Sequence, residues 1–98
     1  MPYRIQLSPA AKEHLQALRK RQQVTIVDSV EKQLAHEPSA ETKNRKLMRP
    51  NPLAPWELRI GTIRVYYDVD EDAKVVLIVA IGIKVRNRVF IESEEVDL

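Results

Sequence analysis

Two arginines on neighbouring predicted strands are the residues of this chain whose type and spacing most directly suggest chemistry. In residues 56–60 and again in 63–67, apolar side chains alternate with charged or polar ones, a pattern typical of half-buried β-strands. Gly61 and Thr62 between the two segments fit a two-residue hairpin turn. A tight hairpin of this kind places Arg59 directly opposite Arg64, with the apolar side chains on the other face.

The opposed arginines predict a binding site for an anion. Like charges directly opposite each other on a sheet cost up to about 1 kcal/mol, so an anion between Arg59 and Arg64 would offset the repulsion. Phosphate is the obvious candidate. The alternative is that both side chains point into water and pair with Glu57 or with a carboxylate on a helix, where such pairs contribute little.

The distribution of charge favours a polyanionic partner more than the net charge does. With 16 Lys and Arg against 14 Asp and Glu, the formal net charge of the 98 residues is only +2. Positive residues are concentrated in two segments, and they are Lys43, Arg45, Lys46 and Arg49 in the first and Lys84, Arg86 and Arg88 in the second. Acidic residues are concentrated at 68–72 and at the end of the chain. Patches of opposite sign can steer a polyanion to one side and leave the other for a different partner.

Composition disfavours several classes of function. The chain has no cysteine, so it forms neither disulfides nor thiolate metal sites. No cluster of His, Asp and Glu has metal-ligand spacing, and we predict neither a metal nor another cofactor. His14 and His36 fall on predicted helices and are expected to be ordinary surface residues. The first residues contain no signal-peptide core, and no apolar run approaches about 20 residues, which predicts a cytoplasmic protein without membrane association.

One small α+β domain covering residues 1–98 is expected to position these side chains. The predicted order is β-α-α-β-β-β, with an N-terminal strand, a helical hairpin and then an antiparallel sheet of about three to four strands. The apolar run 75–83 is the predicted central strand, because it is apolar on both faces. Gly82 near its end suggests a bend or the close approach of another backbone. Residues 85–91 are the candidate fourth strand.

Two consecutive helices are predicted between the first strand and the sheet. Ser8 and Pro9 have the N-cap and first-turn signature of a helix, which is expected to end at the basic residues 19–21. Thr25, followed by an acidic residue three positions later, fits the capping box of a second helix. The polar and proline-rich segment 39–55 is predicted to be an extended loop that exposes its basic residues.

Taken in chain order, the segments described above resemble the RelE/ParE superfamily of bacterial toxins from type II toxin–antitoxin systems, and more closely its RelE-like branch. The resemblance covers nearly the whole chain. It is carried by the opening strand, the helical hairpin begun by Ser-Pro, the Lys46-Leu47 loop, the hairpin WELRIG…RVYYDVD, and VVLIVAIG followed by KVRNRVF. Each piece alone would be weak, whereas their order is specific to the superfamily.

The resemblance implies a ribosome-dependent mRNA endonuclease. RelE-like toxins enter the ribosomal A site and inhibit translation by cleaving the mRNA there without a metal, through attack of a ribose 2′-hydroxyl on the adjacent phosphate. This chemistry needs a group that accepts the hydroxyl proton, cations that stabilise the transition state, and an acid for the leaving 5′-oxygen. By position in the family pattern, the catalytic set is Arg59, Arg64, Lys84 and Glu57.

The family pattern also suggests individual roles, with two departures. Arg59 and Arg64 occupy positions that contact the scissile phosphate, and Lys84 occupies the position of a basic residue for transition-state stabilisation or protonation of the leaving group. Glu57 stands where some members have a lysine proposed as the general base. A glutamate can accept the proton itself, although an ordinary carboxylate is a weak base, and a deprotonated Lys84 is the alternative base. Phe90 stands where many members have a base-stacking tyrosine, so stacking is kept and the hydroxyl is lost.

Further contacts with RNA are implied around this set. The predicted RNA-binding residues are Lys43, Arg45, Lys46, Arg49, Tyr66, Arg86, Arg88 and Phe90. Tyr66 shares the outward face with the two arginines, whereas Tyr67 and Trp56 are expected in the core. The basic residues of the loop would contact rRNA phosphates, although a solvated loop would have the same composition.

The partners implied by the resemblance are a cognate antitoxin, RelB-like or of another family, and the ribosome with mRNA in its A site. Operator DNA would be bound only through the antitoxin. Two other functions remain open at this point. One is a ParE-like inhibitor of DNA gyrase with the same fold, and the other is a degenerate toxin that acts only as an antitoxin-binding co-regulator, which Glu57 and Phe90 favour.

Overall fold

The computed structural model describes residues 2–96 and shows one sheet with two helices on one of its faces. In chain order the elements are β1 (Arg4–Leu7), α1 (Pro9–Gln16), α2 (Lys20–Leu34), β2 (Arg45–Leu47), β3 (Trp56–Ile60), β4 (Ile63–Asp70), β5 (Val75–Val85), β6 (Arg88–Ile91) and β7 (Glu94–Val96). The described residues thus form the predicted α+β fold, and all seven strands belong to the same sheet.

The helices cover the sheet face that carries the alternating apolar residues of β3 and β4, and we call it the covered face. The buried residues of its core are Ala11, Ile26, Val30, Leu34, Trp56, Leu58, Ile63, Val65, Tyr67, Val76, Ile78 and Ile81. The rings of Trp56 and Tyr67 stack with centroids 6.0 Å apart, which confirms that both belong to the core. Removal of this apolar surface from water is the main contribution that stabilises the fold.

The central strand of the sheet is β5, as predicted. One edge of β5 pairs antiparallel with β4, and the other edge pairs parallel with β1 in its first half and antiparallel with β6 in its second half. Gly82 lies where β6 passes closest. A Cβ atom at Gly82 would lie 3.0 Å from both the Phe90 carbonyl oxygen and Ile91 Cγ1, so this position requires the absence of a side chain.

The opposite side of the sheet, which we call the open face, carries no helix of residues 2–96. Because side chains alternate along a strand, Glu57 and Arg59 of β3 and Arg64 and Tyr66 of β4 lie on this face. A small apolar cluster covers its middle, formed by Ala54, Tyr66 and Ala80 with Met48, Leu53, Val79, Val89 and Ile91 packed against them.

The first helix begins as predicted and ends earlier. The Ser8 hydroxyl accepts a hydrogen bond from the Ala11 N–H at 3.0 Å, and it donates to the Val79 carbonyl at 2.9 Å. Ser8 therefore caps α1 and also fastens it to β5. The helix ends at Gln16, so the basic residues 19–21 do not form its C-terminus.

The second helix begins earlier than predicted. Arg19 is its N-cap residue, and the backbone N–H of Arg19 donates to the side chain of Gln22 at 3.3 Å. Thr25 lies inside the helix, where its hydroxyl donates to the Arg21 carbonyl at 3.0 Å. The predicted capping box at Thr25 is therefore wrong, because the helical hydrogen bonds already continue through this residue.

The sheet has more strands than predicted at its two ends. The three-residue strand β2 lies within the segment predicted as a loop, and β7 adds a second short strand beyond β6. A turn at residues 86 and 87 interrupts the predicted strand 85–91, of which 88–91 forms β6. Strands this short contain too few alternations to be recognised from a periodic pattern.

Candidate functional site

The β3–β4 hairpin has the predicted register on the open face. Arg59 lies opposite Arg64, and Glu57 lies opposite Tyr66. On the other edge of β3, Lys46 of β2 pairs with Glu57. Register partners on neighbouring strands project to the same face, so three strands bring two arginines, a lysine, a glutamate and a tyrosine together.

A groove on the open face gathers half of the charged residues predicted for the site. It has a volume of about 740 Å³ and is lined by Lys46, Leu47, Met48, Arg49, Pro50, Glu57, Arg59, Lys84, Asn87 and Val89. Four of these residues are cations and one is a carboxylate. Several cations around one concave surface create a positive potential that attracts an anionic chain.

Glu57 and Arg59 form an ion pair within the groove. Arg59 Nε lies 3.0 Å from Glu57 Oε1, and the side chains are 38% and 11% exposed, Arg59 being the more exposed. The two residues are separated by one position on the same strand, which places them side by side. The pairing of Arg59 with Glu57 that the sequence left open is therefore formed, and the guanidinium group still faces solvent on its other side.

Arg64 lies at the end of the hairpin and is only 9% exposed. Its Nη1 donates to the carbonyl oxygens of Gly61 at 2.6 Å and of Ile63 at 3.0 Å. Within residues 2–96, no carboxylate oxygen lies within 4.0 Å of its guanidinium. Arg64 thus stabilises the turn and is also a buried cation without a counter-ion, which an anion bound beside it would compensate.

Lys84 is brought to the same end of the face by the pairing of β5 with the hairpin. Its backbone N–H donates to the Thr62 carbonyl at 2.7 Å, and Gly82 on the same strand pairs with Arg64. The Lys84 side chain is half-buried and lines the groove. Two of the three cations expected to act on a phosphate, Arg59 and Lys84, therefore share one groove, whereas Arg64 is not part of its lining.

Tyr66 is on the predicted face, but it is completely buried under the apolar cluster. Among residues 2–96 its hydroxyl has no hydrogen-bond partner. Burial raises the pKa of Tyr66 well above its ordinary value, and the negative charge of Glu57 and its close contact with the hydroxyl raise it further, while Arg64 and Arg59 act in the opposite direction. This contact does not have the geometry of a hydrogen bond. Tyr66 is therefore a neutral hydroxyl beneath the groove and is not exposed for contact with RNA.

Arg45 has a structural position that differs from the expected exposed one. It is the register partner of Leu58 and lies on the covered face. Its Nε donates to the Ala40 carbonyl at 3.0 Å, and its Nη1 donates to the carbonyl of Gln33 in the last turn of α2. A cation at this position satisfies a free helix carbonyl, so Arg45 ties β2 to the helix and points away from the groove.

Three other predicted RNA-binding cations lie outside the groove lining. Lys43 is exposed in the segment before β2. Arg86 is exposed in the β5–β6 turn and has a positive φ of 59°. Arg88 Nη1 lies 3.8 Å from Glu95 Oε1 of β7, an exposed pair that contributes little to stability.

Phe90 is separated from the predicted phosphate contacts by the sheet itself. It pairs with Ile83, whereas Val89 pairs with Lys84, so Phe90 projects to the covered face. There it lines a different groove together with His14 and Leu18. A base held between Arg59 and Lys84 would therefore not reach Phe90.

Sequence reasoning missed the uncharged half of the groove. Leu47, Met48 and Val89 provide its apolar lining, and Asn87 provides a neutral amide. Leu47 is half exposed. No local pattern reveals these residues, because the three residues of β2 are too few for a periodic signal and Val89 reaches the groove only through the pairing of β6 with β5.

Two further properties of residues 2–96 concern metal ligands and the helices. No three His, Cys, Asp or Glu side chains of the described chain come together as a potential metal site. Within the same residues, neither helix combines the length and the apolar character needed to cross a membrane.

Solved structures of toxin–antitoxin complexes contain chains with this fold. A chain of the RelBE2 toxin–antitoxin complex from Mycobacterium tuberculosis superposes with a TM-score of 0.71 at 24% identity, covering 86% of this chain and 100% of that chain. A chain of the archaeal RelE–RelB complex from Pyrococcus horikoshii OT3 superposes with a TM-score of 0.66 at 24% identity, covering 88% and 99%. At this identity the likeness defines the class of fold.

Sequence comparison then identifies the family. The family model described as "ParE toxin of type II toxin-antitoxin system, parDE" matches residues 5–88. The chain therefore belongs to this family of toxins, which confirms the predicted RelE/ParE superfamily. No curated protein sequence matches the chain. The family match ends at the first residue of β6, so the remainder of the β6–β7 hairpin lies beyond it.

Proposed function

We propose that this toxin is a ribosome-dependent endonuclease that cleaves mRNA in the A site and thereby inhibits translation. The observation that carries the proposal is the groove in which Arg59, Lys84, Lys46 and Arg49 surround the Glu57 carboxylate. A single RNA strand presents phosphates, which such cations bind, next to ribose hydroxyls, whose protons a carboxylate can accept.

In the proposed reaction the 2′-oxygen of one nucleotide attacks the adjacent phosphorus. Glu57 accepts the 2′-hydroxyl proton, the bond between the 2′-oxygen and phosphorus forms, and the bond from phosphorus to the 5′-oxygen breaks. The Lys84 ammonium group donates a proton to the leaving 5′-oxygen. The products are a 2′,3′-cyclic phosphate and a free 5′-hydroxyl, and the two proton transfers leave the total charge unchanged.

Arg59 and Arg64 stabilise the phosphate as negative charge develops on its oxygens. Arg59 lines the groove, whereas Arg64, its register partner, does not line it. Arg64 has no carboxylate within 4.0 Å among residues 2–96 and adds positive potential in a poorly solvated position. Cations that are already positioned before the reaction lower the barrier most, because they do not have to reorganise. Arg64 also holds the hairpin turn, so its roles in stability and in catalysis are coupled.

The protein partner in this proposal is a cognate antitoxin. The two solved structures with this fold are toxin–antitoxin complexes, both named for RelB and RelE proteins. The ribosome would present the mRNA strand, and contacts with rRNA phosphates would come from exposed cations such as Lys46 and Arg49 at the rim of the groove. Binding of operator DNA is assigned to the antitoxin.

A second candidate function is inhibition of DNA gyrase. The family model that matches the chain carries the ParE name, and three features weaken the nuclease proposal. Glu57 is engaged by Arg59, Tyr66 is buried, and Phe90 is on the opposite face. A toxin that acts by binding a protein needs none of these groups in a catalytic arrangement.

Mapping of mRNA 5′ ends after induction separates the two functions. The variants are wild type, Arg59→Gln, and Lys12→Gln as a control cation exposed on α1. The nuclease proposal predicts new translation-dependent ends within codons in wild type and Lys12→Gln, and at least tenfold fewer in Arg59→Gln. Arg59→Gln is preferred to Arg64→Ala, because loss of the two turn hydrogen bonds of Arg64 would alter the fold.

Uncut mRNA in growth-arrested cells would overturn the nuclease proposal. Inhibition of DNA supercoiling by purified gyrase, equally strong in wild type and Arg59→Gln, would then support the second function. Uncut mRNA without growth arrest would favour a toxin that acts only through its antitoxin.

A further inference from the structure

The hydroxyl of Tyr66 is a buried polar group that the fold does not use. The side chain is fully buried, and its oxygen has no hydrogen-bond partner among residues 2–96. Its surroundings are apolar on one side, where Ala54, Ala80 and Met48 pack against it. Buried hydroxyls are nearly always hydrogen-bonded in folded proteins, because an unpaired one forfeits its bonds with water. A phenylalanine would fill the same space without this penalty.

The ionised group that acts most strongly on this hydroxyl is the Glu57 carboxylate. Glu57 is the register partner of Tyr66, and both side chains lie on the open face. Oε1 of Glu57 accepts the bond from Arg59 Nε, while Oε2 accepts no hydrogen bond from residues 2–96. The other ionised groups that act on the Tyr66 hydroxyl are Arg59 and Arg64. A donor that makes no hydrogen bond of good geometry among residues 2–96 therefore lies beside a carboxylate that has a free oxygen.

We propose that Tyr66 is a positioning residue for Glu57, and that its hydroxyl donates to the Glu57 carboxylate when Arg59 leaves that carboxylate for a phosphate in the groove. In the free toxin Arg59 neutralises Glu57, and the Tyr66 hydroxyl lies close to the carboxylate without a hydrogen bond of good geometry. When an RNA phosphate draws Arg59 away, the carboxylate loses its partner and Tyr66 replaces it. The exchange holds the Glu57 carboxylate in a fixed orientation at the moment when it must accept a proton. This inference rests on the proposed nuclease function.

The neighbouring residue Tyr67 provides a matched control. Its hydroxyl donates to the Pro38 carbonyl at 2.7 Å on the covered face, so it is used by the fold and lies away from the groove. Replacement of either tyrosine by phenylalanine removes one oxygen and keeps the ring. Tyr66→Phe should therefore lower activity without lowering stability, whereas Tyr67→Phe should lower stability without lowering activity.

The first experiment compares these variants by denaturant unfolding and by cleavage of mRNA on programmed ribosomes. Tyr66→Phe is expected to unfold at the same or a higher denaturant concentration than wild type and to cut at least fivefold more slowly. Tyr67→Phe is expected to unfold at a lower concentration and to cut at the wild-type rate. In a Glu57→Gln background, Tyr66→Phe should cause no further loss. Equal cutting by Tyr66→Phe and wild type would overturn the inference.

A second experiment does not depend on activity and uses carboxyl ¹³C NMR of Glu57. In Arg59→Gln the competing partner is absent, so Tyr66 should donate to the carboxylate and favour its charged form. The titration midpoint of Glu57 in this background should rise by at least about half a pH unit when Tyr66→Phe is added, and should not change with Tyr67→Phe. A Glu57 midpoint that does not change when Tyr66→Phe is added would overturn the inference.

The two experiments distinguish failure of the inference from failure of the proposed function. A wild-type toxin that cuts no mRNA would refute the nuclease, while the NMR result would still decide whether Tyr66 bonds to Glu57. Cutting by wild type together with an unchanged midpoint would retain the nuclease and reject the role of Tyr66.

Discussion

The two faces of the sheet are built from the same strands, but one carries the apolar core and the other carries the charged residues. On the covered face, alternate residues of β3 and β4 such as Leu58 and Val65 are completely buried under the helices. On the open face, the residues between them include Glu57, Arg59 and Arg64, which place three charges on neighbouring positions. The covered face holds the main apolar core, whereas the open face holds, among residues 2–96, a buried arginine without a carboxylate partner and a buried hydroxyl without a hydrogen-bond partner.

This difference indicates where the chain is shaped for stability and where it is shaped for function. Alternation along a strand assigns neighbouring residues to opposite environments, so one hairpin can contribute both a core and a site. Unpaired polar groups and opposed like charges reduce stability, and they are expected where binding of a ligand compensates them. Substitutions of adjacent residues on the two faces should therefore have separable effects.

The largest effect on stability is expected from Leu58→Ala on the covered face. Leu58 is fully buried, and truncation of such a side chain costs about 2–5 kcal/mol through lost burial and the cavity left behind. Arg59→Gln, the next residue on the open face, should change the unfolding free energy by about 1 kcal/mol or less. Denaturant unfolding of both variants measures the contrast, and equal losses would refute the division between the faces.

Gly82→Ala tests the close approach of β6 to β5. The added methyl group would lie 3.0 Å from the Phe90 carbonyl oxygen and from Ile91 Cγ1, and overpacking of this kind costs about 1–3 kcal/mol. The control is Gly61→Ala, where the methyl group meets no atom within 4 Å and the strain comes from φ alone. Backbone NMR shifts in β6 and β7 should move in Gly82→Ala and stay in Gly61→Ala. Undisturbed β6 resonances in Gly82→Ala would contradict the close approach.

His14→Leu tests a link between the helices and the covered face that was not predicted. His14 Nδ1 accepts a hydrogen bond at 3.2 Å from the backbone N–H of Ile81, which is buried. Loss of the acceptor leaves this N–H unpaired and should cost about 1–2 kcal/mol. His36→Leu, at an exposed position after α2, is the control and should have almost no effect. Equal stability of the two variants would show that water replaces the His14 acceptor.

The smallest effect is a pH dependence at the β4–β5 turn. Glu71 accepts hydrogen bonds from Ser39 at 2.6 Å and from Tyr3 at 2.5 Å, and these two contacts, in that order, hold the pKa of its carboxyl below its usual value. A carboxyl whose pKa is lower in the folded state stabilises the fold above its unfolded pKa of about 4.3 and loses this contribution as the pH falls through the folded pKa. Unfolding at pH 7 and pH 3 should therefore differ less in Glu71→Gln than in wild type. Glu41→Gln, at an exposed loop position, should keep the wild-type difference.

The sequence allowed the hairpin and its charged pair to be predicted, because both depend on local rules. Strict alternation and a two-residue turn determine the register, so the opposition of Arg59 and Arg64 followed without knowledge of the fold. The burial of Trp56 and Tyr67 followed from the same alternation. These are contacts between residues close in sequence.

The groove could not be predicted completely, because it depends on contacts between distant segments. Arg45 turns to the end of α2, which only the folded chain brings near. Phe90 projects to the covered face because the turn at 86 and 87 resets the alternation after β5. Three-residue strands such as β2 give no periodic signal, so the place of Leu47 and Met48 in the lining of the groove could not be predicted.

The claim that the groove on the open face performs the chemistry is tested most directly by Glu57→Gln. The substitution keeps the shape of the side chain, removes the proton acceptor and releases Arg59, so the groove becomes more positive. We predict that purified Glu57→Gln binds RNA at least as tightly as wild type and cuts mRNA on programmed ribosomes at least about 100-fold more slowly, in line with the loss of a general base. Cutting at or above the wild-type rate would contradict the account, because Glu57 would then only restrain Arg59.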